Sequence, residues 1–290
     1  MVLSYNAKPF LQKCLVSIQK YTSGIDYEII VVDNNSSDET AKWLITLKNP
    51  KIKVILSKIN LGFCGGNNLA LKEARGKYIL LLNPDTLLLE NTLKIMFEWM
   101  EKHPQVGVSS CTLLDSDKKL MATGGYFPTL GRLLMWALFL DDLPGISGVI
   151  KSYHPKPYRY KDEFYPDWVT GAFFLVRRTA IDQVGMMDEK IFLYADELEW
   201  SIRFKKAKWK IAYTPITHIV HLERKSSAGV PTNAILGEIR GLRYIYSKHY
   251  PGAKQVGANL ILNLMALLRI GLWLVRGKSQ IAKVYLKAIA

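Results

Sequence analysis

The chain has 290 residues, 49% hydrophobic and 22% charged, enough apolar sequence for one large α/β domain or two small ones and too much for a disordered chain. Cys14, Cys64 and Cys111 are odd in number and lack a CxxC spacing, which excludes a disulfide framework and a zinc cluster and fits a reducing compartment. The net charge of +14 arises wholly after residue 202, where 16 Lys and Arg face 2 Asp and Glu, so the basic surface is C-terminal and its partner a polyanion, either nucleic acid or an anionic membrane face.

No signal peptide precedes the first strand, Val2-Leu3-Ser4-Tyr5, and its shortness suggests a start a few residues further upstream. Lys8 to Lys20 is predicted helical, with Pro9 near its first turn and Leu11, Cys14, Leu15 and Ile18 on one face. Tyr27 to Asp33 is a strand ending in an acid. Ser36-Ser37-Asp38-Glu39 then offers a capping box for a helix to about Leu47. Ile52 to Leu56 is the third strand, and the Gly-rich turn Asn60 to Asn68 opens a helix that ends near Arg75-Gly76.

Tyr78 to Leu82 runs straight into Asn83-Pro84-Asp85-Thr86. So short an apolar run, bounded by Arg75-Gly76-Lys77 and Pro84, reads as a central parallel strand covered on both faces, with Asn83 and Asp85 at the carboxyl end where ligands bind. Pro84 fixes its own φ and biases Asn83 toward extended backbone. Leu93 to His103 is then helical, Val106 to Cys111 a strand, and Leu113 to Ala122 a hairpin. Residues 126–166 read as a variable flap with one helix in the run Leu133 to Leu140. Trp168 to Val176 is a strand containing Gly171, Asp196 to Lys206 a helix, and Lys210 to Tyr213 a last strand before His218 and His221. Alternating strands and helices make a doubly wound sheet, and five polar strand ends share one side of it: Tyr5-Asn6, Asp33, Asn60 onward, Asn83/Asp85 and the segment near Gly171.

Each motif has a plain reading beside the functional one. Asp33 is placed like acids that bind a ribose or base edge, yet Asp33-Asn34-Asn35 also suits an ordinary turn. Asn83 to Thr86 could be a strand-to-helix turn with Asp85 or Thr86 as a cap. The glycines at 62, 65 and 66 match neither the dinucleotide fingerprint nor a P-loop, so neither NAD nor ATP is indicated. Asp196, Glu197 and Glu199 are either first-turn acids on a helix dipole or, among Phe192, Leu193, Tyr194 and Trp200, carboxyls raised toward a general base. His218 and His221 are structural or metal-binding.

Taken together and in order, these stretches resemble the family 2 glycosyltransferases of the GT-A fold, and among them the rhamnosyltransferase-like branch. The stretches are Val2 to Asn6, Val31 to Asp38, Asn60 to Phe63 with Gly65 to Asn68, Leu82 to Asp85, Gly171-Ala172, and Phe192 to Glu197. The resemblance covers roughly residues 1–225. It implies an α/β, Rossmann-like, mostly parallel sheet with helices on both faces. Tyr5, Asn6 and Asp33 would contact the nucleoside of a sugar nucleotide, with Asn60, Gly62, Gly66 and Asn68 lining the same pocket. Asn83-Pro84-Asp85 replaces the family's Asp-x-Asp, leaving Asp85 as the carboxylate on Mg²⁺ or Mn²⁺, with Asn83 beside the donor and His221 completing the metal site. Glu197 holds the position of the catalytic base, and Asp196 precedes it where many relatives have the two acids in the opposite order. Trp168, Gly171 and Glu199 fall on the acceptor side.

Val256 to Val275 is apolar, but its longest charge-free stretch, Val256 to Leu268, is too short to span a bilayer. Gln255, Asn259, Asn263, Arg269 and Arg276 fall on one face, which Gln280, Lys283 and Lys287 continue. That is the pattern of an interfacial amphipathic helix, against a core helix or a tilted transmembrane one. The expectation is a transferase domain over 1–225 and a basic, membrane-associating helical tail over 226–290, peripheral on the cytoplasmic face of the cell membrane. The expected reaction is inverting and metal-dependent, from a nucleoside-diphosphate sugar such as dTDP-rhamnose to a lipid-linked or cell-surface glycan. UDP-galactofuranose or UDP-N-acetylhexosamine is the alternative donor. A non-catalytic or nucleic-acid-binding protein on a degenerate transferase fold is the alternative of another class, and the absence of a nucleic-acid-reading motif argues against that partner.

Overall fold

The computed structural model describes residues 1–143, 151–222 and 232–289. The expected boundary at residue 225 lies outside the described residues. The chain opens with β1 (Val2–Ser4), α1 (Lys8–Tyr21), β2 (Ile29–Asp33), α2 (Thr40–Leu44), β3 (Ile52–Leu56), α3 (Gly62–Glu73) and β4 (Tyr78–Leu82). In α1 the helix follows from Pro9 in the first turn and from the stripe Leu11, Cys14, Leu15 and Ile18, all buried. Each such burial is worth roughly 1.5–3 kcal/mol, which holds the helix against the sheet. The next helix, α2, is shorter than expected. Glu39 pairs with Lys42 instead of reaching back, and Asp38 caps Thr40, so no capping box forms.

β5 (Thr86–Leu88), α4 (Thr92–Lys102), β6 (Val106–Leu114), β7 (Gly124–Gly125), α5 (Leu130–Ala137), β8 (Trp168–Val169), β9 (Phe173–Arg177), α6 (Arg178–Val184), α7 (Asp196–Lys206) and β10 (Lys210–His221) follow. The main sheet has eight strands in the order β3-β2-β1-β4-β9-β6-β10-β5. β1, β2, β3 and β4 are mutually parallel, whereas β9 runs antiparallel between β4 and β6 and β5 runs antiparallel to β10. β4 therefore stands where the parallel half meets an antiparallel strand, not between two parallel neighbours as expected.

Two further strands depart from the sequence reading. Trp168 to Val176 splits at Thr170-Gly171-Ala172: β8 pairs with β7 in a separate ribbon, while β9 enters the main sheet. β10 runs on past Tyr213 to His221, with a register shift around Pro215. A proline lacks the amide that a ladder needs, so the break shows in the sequence although the strand survives it.

α8 (Thr232–His249), α9 (Ala253–Val275) and α10 (Ser279–Leu286) pack beside α7 and α5. Leu198 and Ile202 of α7, Leu133 and Ala137 of α5, and Ile239, Leu242, Leu262 and Met265 of α8 and α9 share one core. The polar face of α9 is turned onto the protein. Arg243 of α8 donates to the side-chain oxygens of Asn259 (3.1 Å) and Asn263 (2.6 Å). Arg269 is buried and donates to the carbonyls of Trp136 and Ala137 at 3.2 and 3.4 Å, supplying donors that the last turn of α5 lacks.

Candidate active site

The carboxyl ends of β1, β2 and β4 border a cleft of about 600 Å³, within the range of small-molecule sites. Tyr5, Asn34, Asn60 and Gly62 form one end of it. Asn34 Nδ2 donates to Asn60 Oδ1 (2.9 Å) and the Gly62 carbonyl (3.0 Å), and its Oδ1 accepts from Leu61 N (2.9 Å), so the two asparagines fix the Gly-rich turn. Gly62 sits at φ +70°, where a Cβ would lie 2.3 Å from the Phe192 carbonyl; the same carbonyl accepts from Phe63 N at 2.6 Å. Only glycine permits that approach.

The residues expected at this end separate into two groups. Tyr5 is half-exposed and Asn60 and Gly62 line the cleft. Asp33 lies just behind, its Oδ2 accepting from Ser36 N (3.0 Å) and its buried Oδ1 without a partner. Asn6, at φ 51°, spends its side chain on the neighbouring loop, accepting from Ser37 N at 2.7 Å and Asp38 N at 3.3 Å. Gly66 faces Leu3, where a Cβ would strike the side chain at 2.4 Å. Asn68 is buried and ties α3 to the Met187–Glu189 loop through both its oxygen and its nitrogen. The geometry thus gives Asn6, Gly66 and Asn68 supporting roles around the pocket and not places in its lining.

At the middle of the cleft, antiparallel pairing of β5 with β10 sets Thr86 opposite His221, and Leu222 N donates to the Asp85 carbonyl at 2.8 Å. That register brings His221 Nε2 to 3.1 Å from Asp85 Oδ1 and 3.4 Å from Asn83 Nδ2. One carboxylate and one imidazole at the mouth of a cleft fit a hard divalent ion that takes its remaining ligands from substrate phosphates. Among the described residues no cluster of three or more His, Cys, Asp or Glu forms a self-sufficient cage. His218, three residues before His221 on the same strand, pairs instead with Glu90 at 2.9 Å.

The opposite wall is the start of α7. Tyr194 and Ala195 both adopt left-handed backbone, φ 67° and 63°, and thereby aim Asp196 and Glu197 at the cleft. Two such non-glycine residues in succession are costly, of order 1 kcal/mol or more each, and persist only where the surroundings enforce them. Asp196 is buried, and loss of water followed by the neighbouring Glu197 carboxylate pushes its carboxyl well up. Glu197 is also raised, by burial, but the main-chain amides of Glu197 and Gly171 and a hydrogen bond from Asp196 favour its charged form. Both carboxyls are thus raised, and burial side by side disfavours ionising the two at once.

Two residues expected on the acceptor side lie elsewhere. Glu199, one helical step beyond, turns into the protein and is ringed by Arg203 (2.9 Å), Lys248 (2.7 Å) and His249 (3.0 Å). Burial opposes its charge, but hydrogen bonds from His249 and Lys248 and the Arg203 guanidinium outweigh that and pull the carboxyl down to about 2. It is a buried ionic tie between α7 and α8. Trp168 packs beside Tyr153 and His154 in the core under the C-terminal helices, so Thr170 and Gly171 form the cleft wall in its place. The structure adds Asn34, Phe63, Phe192 and Asn233 to the lining. Asn34 and Phe63 lay inside motifs already singled out; Asn233 carried no signal.

A family model described as Glycosyl transferase family 2 matches residues 1–185. The chain is 24% identical over 250 residues to the N-acetylglucosaminyl-diphospho-decaprenol L-rhamnosyltransferase of Mycobacterium tuberculosis, covering 80% of this chain and 78% of that one. It is 24% identical over 257 residues to the rhamnosyltransferase WbbL of Escherichia coli K12, covering 86% and 92%. Among solved structures, GalNAc-T7 with UDP, GalNAc and Mn²⁺ superimposes with a TM-score of 0.61 at 15% identity, covering 84% of this chain; the chain spans about half, 48%, of that protein. The likeness in fold is to GT-A enzymes.

Proposed function

The chain belongs to glycosyl transferase family 2, in its rhamnosyltransferase-like branch, and from that membership we propose that it transfers rhamnose, with inversion, from a nucleoside-diphosphate sugar to a lipid-linked glycan at the cytoplasmic face of the membrane. That it is a glycosyltransferase follows from the family; donor, acceptor and metal are our reading. The observation that carries the reading is the opposition, across one cleft, of the Asp85–His221 pair and the Asp196–Glu197 pair.

In this reading Tyr5 stacks on or covers the base, and the unpartnered Asp33 oxygen accepts a hydrogen bond from the nucleoside. Asn60 and the Gly62 turn hold the nucleotide's flank. Asp85 and His221 would hold Mg²⁺ or Mn²⁺, which supplies neutralisation of the departing diphosphate. A Mn²⁺ ion with UDP in GalNAc-T7 supports that choice. Glu197 accepts the proton of the attacking hydroxyl, Asp196 keeps its own proton and orients Glu197, and Gly171 lets the acceptor approach. The lipid-linked acceptor is supported by the diphospho-decaprenol substrate in the name of the mycobacterial relative.

The test is release of nucleoside diphosphate from a panel of sugar nucleotides with Mg²⁺, Mn²⁺ or EDTA, using a synthetic lipid-diphosphate GlcNAc as acceptor. Turnover of dTDP-rhamnose with metal, and none with EDTA, is expected. Turnover of a UDP-sugar alone would replace the donor, and full activity in EDTA would remove the metal.

A further inference from the structure

The long helix α9 is amphipathic in the reverse sense for a soluble protein. From Asn259 onward the polar residues of α9 are consumed internally: Asn259 and Asn263 by Arg243, and Arg269 by the carbonyls at the end of α5. Ala258, Leu262, Met265 and Ala266 sit on the same inward side and are buried. The outward side is aliphatic. Val256, Leu260, Leu264, Leu267, Leu268 and Leu274 recur at helical spacing, with Leu260 65% and Leu267 58% exposed. This stripe extends about 27 Å at 1.5 Å per residue. The helix cannot roll to hide it, because Arg243 and Arg269 lock its rotation.

We propose that this outward face of α9 is a docking surface for an anionic lipid bilayer, on which the helix lies without crossing it. The argument concerns where the protein sits and stands whatever sugar it transfers. Charge selects the occupant. Residues 239–290 contain no Asp or Glu, and outside the internal pairs of Arg243, Lys248 and Arg269 they carry the exposed cations Arg240, Lys254, Arg276, Lys278, Lys283 and Lys287, so a second copy of the chain on this face would bring two cationic segments together, whereas anionic headgroups complement them. At the far end of the stripe Trp273 carries Arg276 and Lys278 over its ring at 5.5 and 5.3 Å. An indole flanked by cations is suited to the headgroup layer beside a buried aliphatic face. From Ala258 to Arg269 the inward side of α9 is covered by protein, which leaves lipid access to the other side of that stretch and makes the helix monotopic, although it is long and apolar enough to span.

The test is flotation of the full chain with phosphatidylcholine vesicles, alone or with roughly a third phosphatidylglycerol. Binding to the anionic vesicles, release by alkaline carbonate, and loss of ~10-fold or more in partitioning for Leu260→Gln/Leu264→Gln/Leu267→Gln are expected. Those three side chains face solvent, so the variant keeps the wild-type circular dichroism and melting temperature. Lys278→Gln/Lys283→Gln/Lys287→Gln should erase the preference for anionic lipid while leaving the leucines in place. Flotation of the leucine variant equal to wild type, or a wild-type dimer in solution that ignores vesicles, would overturn the surface. Resistance of the wild type to carbonate would overturn the monotopic placement. Transfer to a water-soluble acceptor, read in parallel, separates failure of the surface from failure of the proposed reaction.

Discussion

Gly241 of α8 lies directly over Ala195: a Cβ at 241 would come within 2.5 Å of the Ala195 Cβ and 3.0 Å of the Tyr194 carbonyl. One turn earlier, a Cβ at Gly237 would meet the Leu193 carbonyl and the Tyr194 ring at 2.7 Å. The two glycines are four residues apart and so share a face of α8. Through them the helix backbone presses on the left-handed turn that aims Asp196 and Glu197. Elements far apart in sequence thus enforce the strained conformation that the site needs.

Gly241→Ala should therefore shift that turn. Overpacking of this kind costs about 1–3 kcal/mol in stability, and kcat should fall about tenfold or more while nucleotide affinity stays within about twofold, since the donor end of the cleft is untouched. Calorimetry of nucleotide binding alongside turnover checks it. Unchanged kcat in a folded variant would mean the turn holds without α8.

Glu197→Gln should retain donor binding and lose about 10²- to 10⁴-fold in kcat. Because burial raises the Glu197 carboxyl and the base works ionised, the acid limb of kcat/KM lies above the ordinary carboxylate range and the rate climbs with pH through it. Asp196→Ala removes a hydrogen bond to the ionised form, so the limb moves to higher pH. Asp196→Asn still donates and should move it less. A pH profile of the two Asp196 variants decides whether Asp196 positions the base or is itself the base.

Glu199→Gln should destabilise the protein without touching the chemistry. The Glu199 carboxyl is held at about 2 in the folded state against an ordinary value of about 4.3 unfolded, a difference worth on the order of 3 kcal/mol. A depressed carboxyl contributes fully above the unfolded value and loses that contribution as pH falls through the folded one. The wild-type advantage in denaturant midpoint should be full at neutral pH and shrink from about pH 4.5 toward 2. Equal stability of variant and wild type at pH 7 would dissolve the tie.

Asp85→Ala should abolish Mn²⁺-dependent binding of a nucleoside diphosphate with little change in melting temperature, because the side chain stands at a strand end, 21% exposed, and leaves no core cavity. His221→Ala should weaken the same binding less. Titration calorimetry with and without Mn²⁺ reads both.

The βα repeats through β4 and the limits of α7 were legible because short apolar strands and periodic helices each leave a local signature. The break at Thr170-Gly171-Ala172 was not, since Trp168 to Val176 is apolar on both sides of it and only the pairing partners β7 and β4 separate the two strands. Asp196-Glu197 was readable as a pair. That Glu199 turns inward depends on Lys248 and His249, about fifty residues away. The polar face of α9 was likewise visible from spacing, but the direction it faces is fixed by Arg243 on another helix. What sequence spacing conveys is which residues share a face; what covers that face is a non-local fact.

β10 returns late in the chain to set His221 against Asp85, yet Tyr5, Asn34, Asn60 and Gly62 at the nucleotide end of the cleft all come from the first 85 residues. The far wall is built after residue 120, from Met121, Ala122, the Thr170–Ala172 turn, the start of α7 and Asn233. A molecule divided in this way is modular in inheritance. Its recipient specificity can drift, or be exchanged with a relative's by grafting the later segments, while the earlier ones go on presenting the same activated sugar. Such a graft must respect the register of Val220 and His221 against Leu87 and Thr86, and that of β9 against β4.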